Sequence, residues 1–237
     1  MKLNAVLTIA LATGFGLVSI TAAMAKGYKT PEHAIAAYIE GVAAQDLDKV
    51  LAATAIDKMS AEFDFIAYVD RLRSLTMVAP APAGEPMFEA INKAAFTAQI
   101  SRQVLFLTYG LLTTSELVQG KTVLMDAAGA AAFENEADPA RLEGLTLSKV
   151  GLPMASMMSD ERYLTNAASQ AATYGADELT ERVALLTLDG ASYLIGFTLL
   201  RYGRDWGVSN QTSALAGTSS SGAPEPITPE EFDQRPQ

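Results

Sequence analysis

RVALLTLDGASYLIGFTLLRYGRDWGVSNQT, residues Arg182 to Thr212, decides the fold. Arg182 to Leu188 is rich in Val and Leu and reads as a strand. Asp189-Gly190 follows, a pair that tolerates the positive φ of a two-residue hairpin turn. Tyr193 to Tyr202 is the longest strand, Gly203-Arg204-Asp205 makes a second turn, and Trp206 to Thr212 is a third strand. Three strands joined by tight turns predict an antiparallel meander. Such a sheet has an apolar face that other elements must cover.

The cover lies upstream. Thr30 caps a helix whose first position is Pro31, where a missing N–H costs nothing. Ile35, Tyr38, Ile39 and Val42 recur at helical spacing and form one stripe. Asp46 starts a second helix through Leu47, Val50 and Leu51, so close behind the first that the two form a corner. Phe65, Tyr68, Val69, Leu72 and Leu75 predict a third. Ala79 to Pro86, with three prolines and a glycine, interrupts the chain. Met87 to about Val118 is helix-compatible, with Gly110 a point where it bends or divides. Val123 to Met125 reads equally as a short strand or as helix. Leu145 to Leu152 is a strand, and Ser159 to Tyr174 a helix closed by Gly175. Segregated helices and antiparallel strands mean α+β.

Composition limits what this fold does. The chain has 237 residues, 17 Lys+Arg against 27 Asp+Glu, one His and no Cys. Without Cys there is no disulfide, thiolate metal site or cysteine nucleophile. A net charge of -10 argues against nucleic acid as a partner. The first 25 residues read as a secretory signal: Lys2 heads a stretch from Leu3 to Ala25 without charge, ending in the small-x-small pattern Ala23-Met24-Ala25. Cleavage there predicts a bacterial periplasmic or secreted protein with no transmembrane segment. Residues 26–216 read as a single domain and 217–237, with Pro224, Pro226, Pro229 and Pro236, as a flexible tail, a short docking peptide around Ile227 and Phe232 being the alternative.

Two stretches carry a resemblance. TPEHAIAAYIEGVAAQDLDKVLAATA, Thr30 to Ala55, resembles the opening of NTF2-like (SnoaL-like, ketosteroid-isomerase-like) domains. YLIGFTLLRYGRDWGVSNQTSALAG, Tyr193 to Gly217, is similar to the closing strands of secreted members. The resemblance implies a cone of antiparallel strands wrapped on an N-terminal helix pair, here with a helical insertion at about 60–145. It also implies a pocket inside the cone, and Tyr38, Phe65, Tyr163, Phe197, Tyr202 and Trp206 are the aromatics expected to line it. This cystatin-like type of fold hosts enzymes and binding modules alike.

No catalytic set is evident. His33 stands near a helix start without an obvious partner. Tyr38 with Asp64 or Asp70 is the pair an isomerase-like or hydrolase-like enzyme would use, although Tyr38 falls on a core stripe. Glu134, Glu136 and Asp138 lack a calcium-loop pattern, and Met154, Met157 and Met158 suit an irregular core or an adaptable surface. The expectation is an exported, non-enzymatic binding or accessory protein without a cofactor. Its partner is a small apolar ligand or a protein that docks on the helical insertion.

Overall fold

A computed structural model describes residues 27–114, 116 and 121–235. The signal-like leader, residues 1–25, lies outside the described residues. The meander forms as its turns demand. Strand β1 is Thr146–Gly151, β2 Glu178–Leu188, β3 Ala191–Tyr202 and β4 Asp205–Asn210, in the order β1-β2-β3-β4 with every neighbour antiparallel. Asp189 and Gly190 hold φ of 52° and 80°, the left-handed pair this hairpin requires.

Alternation splits the sheet into two faces. Ala184, Leu186, Ile195, Phe197 and Leu199 join the main core, while Val183, Leu185 and Leu194 face the other way into a second, smaller cluster. Helix α1, Pro31–Ala43, lays Ile35, Tyr38, Ile39 and Val42 against the first face. Its cap is as the sequence predicts, with the His33 amide donating to Thr30 Oγ1 at 3.2 Å. Helix α2, Leu47–Ala52, turns the corner from its Asp46 cap.

Several expectations need correction. After α2 the chain makes a single bridge to the last strand at Thr54 and Val208, which the sequence did not signal. The amide of Ala55 donates to the Val208 carbonyl, the amide of Val208 donates to the Ala53 carbonyl, and a further short helix, α3, Ile56–Ala61, begins there. Helix α4, Phe65–Leu72, stops before Leu75 because Arg73 takes a left-handed φ of 51°. Helix α5, Pro86–Leu112, runs unbroken through Gly110. Residues 123–125 are neither strand nor helix. The helical segment expected as an insertion at about 60–145 also contributes to the core. Phe96, Ile100, Leu107 and Leu111, spaced at helical intervals along α5, enter the same core as α1 and the sheet. Helix α6 is Ala127–Glu136, a 3-10 helix spans Pro139–Gly144, α7 is Ala155–Met158, and α8, Glu161–Thr173, packs on β2.

The largest correction concerns residues 217–235, expected as a flexible tail. Strand β5, Glu225–Pro226, pairs with Tyr193 and Leu194 of β3. Helix α9, Pro229–Gln234, opens with a capping box between Thr228 and Glu231. It places Phe232, 2% exposed, onto Val183, Leu185 and Leu194. Pro-rich composition concealed that one aromatic and one capped turn suffice when a ready apolar face is waiting. Gly196 makes room for this segment: a Cβ there would collide with the Ser213 amide and Thr218 Oγ1.

Candidate functional site

The six aromatics expected to line one cavity do not share one. Tyr38 and Phe197 are fully buried and meet edge to face, with ring centroids 5.5 Å apart. They pack in the main core between α1 and β3, where the resemblance implied a pocket. Tyr202 is partly buried, and its hydroxyl donates to the Tyr174 carbonyl at 2.8 Å. Trp206 lies under the Arg201 guanidinium, 5.8 Å from its ring centroid. Phe65 borders an open cleft with Phe63, Ile66 and Pro82. Tyr163, on α8, has a buried hydroxyl with no hydrogen-bond partner among the described residues. Burial, then the nearby Glu181 charge, push its phenol up to about 12.

The acid expected beside Tyr38 is elsewhere. Tyr38 donates to Gln211 Oε1 at 2.8 Å, and burial raises its phenol far above the ordinary value. Asp64 caps α4 through the Ala67 amide, and Asp70 pairs with Arg73 at the exposed surface. Glu181 is a buried carboxylate, but it accepts from Ser213 Oγ at 2.6 Å and from the Leu215 amide at 3.0 Å. Those bonds tie down the chain after β4. His33 is exposed. Glu136 accepts from the amide and hydroxyl of Thr114, and Asp138 caps the 3-10 helix. Met157 is exposed on α7.

Helix α5 instead separates two clefts, one along each flank of its buried stripe. The first, about 250 Å³, lies where the α1–α2 corner, α5 and the 3-10 helix meet. Val42, Leu47, Val50, Val104, Leu105 and Leu142 make it mostly apolar, and Leu47 and Leu105 stand exposed. The second, about 370 Å³, lies between α5 and the turn Ser219–Gly222. Its walls are Ala95, Ala98 and Phe106, with Gln99, Arg102, Gln103, Asn210, Ser220 and Ser221 as polar groups.

A buried polar network supports the second cleft. Gln103 Nε2 donates to Asn210 Oδ1, and the Gln211 amide donates to Gln103 Oε1 at 3.0 Å. Gln211 Nε2 donates to the carbonyls of Gln103 and Gly222. Sequence reasoning missed these residues. Gln103 carried one readable signal, since it stands on the apolar stripe between Ile100 and Leu107. Gln211, after the last strand, carried none.

A third feature belongs to the connection between α4 and α5. Ser74 to Gly84 has no charged residue. Met77 is fully exposed and Val78 is 90% exposed. Two hydrogen bonds of 2.8 Å between the buried Asn92 side chain and the backbone of Ala81 pin this loop to α5.

No family model matches the chain, and no curated protein matches it. Among solved structures, a cystatin-like protein from Ruminococcus gnavus ATCC 29149 superimposes with a TM-score of 0.57 at 17% identity. The match covers 83% of this chain and 44% of that one, so the chain spans less than half the length of that relative. At such identity the likeness speaks for the fold alone. With the open antiparallel sheet wrapped on α1, it makes the chain an α+β protein of the cystatin-like cone type.

Proposed function

We propose that this is an exported, non-enzymatic binding protein of the NTF2-like group that engages a protein partner through its helical segment. One observation carries the reading. Most large apolar side chains exposed among the described residues cluster between 60 and 145, and Ile66, Leu72, Leu75, Met77, Val78, Met87 and Ile91 follow one another along α4, its connection and the start of α5. A run of exposed apolar side chains is what a docking surface offers a partner. The Asn92 clamp favours the same reading, because it presents Met77 and Val78 from a loop fixed to α5 and so lowers the entropy lost on docking. The export part rests on the leader pattern of residues 1–25.

A photo-crosslinking residue at Met77, expressed in a bacterial host with a periplasm, tests the proposal. A discrete protein adduct is expected at position 77 and not at Arg204, on the β3–β4 turn. Equal labelling at both positions, or none at 77, would sink it. N-terminal sequencing of the recovered protein should begin at Lys26.

A second reading is favoured by the apolar cleft at the α1–α2 corner. At about 250 Å³ it suits a small apolar ligand or one apolar side chain of a partner. A retained small molecule in native mass spectrometry that disappears in Val104→Trp would favour the ligand.

A further inference from the structure

We infer that the cleft between α5 and the Ser219–Gly222 turn is a binding site for a small organic carboxylate. It is a separate site from the apolar helical surface and does not depend on the reading above. In a chain of net charge -10, this cleft is lined by one cation, Arg102, and by no acid. Arg102 forms no ion pair among the described residues. Glu225, which is not a lining residue, already accepts from the Ser219 amide at 3.0 Å. A guanidinium fork matches a carboxylate with two parallel hydrogen bonds.

Further donors are placed beside it. Asn210 Oδ1 is taken by Gln103, which leaves its amide nitrogen, without a protein partner among the described residues, for the cleft. Ser220 and Gln99 add exposed polar groups. Phe106, Ala95 and Ala98, on the same helix beside Arg102 and Gln99, add apolar lining, which selects an acid carrying a ring or short hydrocarbon part over a bare inorganic anion. A volume of about 370 Å³ falls in the range of small-ligand clefts. The donors stand on a fixed floor. Gln103 is 4% exposed and Gln211 fully buried, and their mutual hydrogen bonds hold Asn210 and Gly222 in place before a ligand arrives.

Benzoate is the probe, titrated at pH 7 into the protein with backbone amide resonances followed by NMR. Saturable shifts at Asn210, Ser220 and Ser221 are expected, with benzyl alcohol, the uncharged analogue, far weaker. Arg102→Gln, on an exposed helix position, should weaken benzoate by about tenfold or more through loss of the charge-assisted pair. Ala98→Trp should abolish binding by filling the cleft, with circular dichroism checking that it is folded. The inference falls if wild type shows no saturable shifts or if Arg102→Gln binds benzoate equally. It falls too if inorganic phosphate moves the same resonances at equal concentration.

Discussion

Gln211 is fully buried and uses its side chain completely, accepting from Tyr38 and donating to two carbonyls. Tyr38→Phe keeps the ring against Phe197 but strips Gln211 Oε1 of its donor. An orphaned buried acceptor costs about 1–3 kcal/mol. Urea denaturation should show a loss of that size, with the far-ultraviolet spectrum unchanged. Glu32 illustrates a charge effect at the same scale. Burial opposes its ionisation, but the hydrogen bond and charge of Arg182, 2.8 Å away, outweigh burial and hold the carboxyl below the ordinary 4.5. A lowered folded pKa stabilises the protein above the unfolded value, and that contribution fades as the pH falls through the folded one. Glu32→Gln should therefore be less stable than wild type at pH 7. Below pH 4.5 the two should converge, as the wild-type carboxyl takes up its proton. Melting temperatures across that range check it.

At the scale of elements, the last segment behaves as part of the sheet. Strand β5 extends pairing along β3, and α9 closes the second apolar cluster with Phe232. Lys149 pairs with Asp233 at 2.6 Å, an exposed contact that adds little beside the buried ring. Deleting residues 217–237 should uncover Val183, Leu185 and Leu194, lower the melting temperature and increase binding of a hydrophobic dye. Gly196→Ala should mimic part of that loss, since the added methyl meets backbone that cannot move without lifting the segment. Hydrogen exchange at Ile227 is the readout, because its amide donates to the Ser192 carbonyl when the segment is docked.

For the whole molecule, the proposed docking of a partner on the outward-facing apolar loop is tested at Met77 and Val78. Met77→Ser with Val78→Ser touches no buried residue, so its stability should stay within about 0.5 kcal/mol of wild type. The same double variant should lose any concentration-dependent association seen by light scattering, and any adduct trapped at this face. Asn92→Ala should act differently. It releases the loop and leaves the Ala81 backbone without its buried partner, so it should weaken association and stability together.

The α+β class, the meander and the α1 stripe were legible in the sequence, because each rests on local rules. Apolar runs bounded by turn residues make strands, Asp-Gly makes a hairpin turn, and Thr-Pro starts a helix. Tyr38 was likewise legible as core, from its place on the stripe of Ile35, Ile39 and Val42. Whether the cone holds a cavity was not, since that depends on how one ring from α1 meets one from β3 across a separation no periodicity records. The same holds for Arg102 and Ser220, distant in the chain and facing one cleft only because the segment after β4 folds back over α5. The fate of residues 217–235 was decided only in three dimensions too. Their few apolar groups stabilise nothing alone, and gain burial only against the face that β2 and β3 provide.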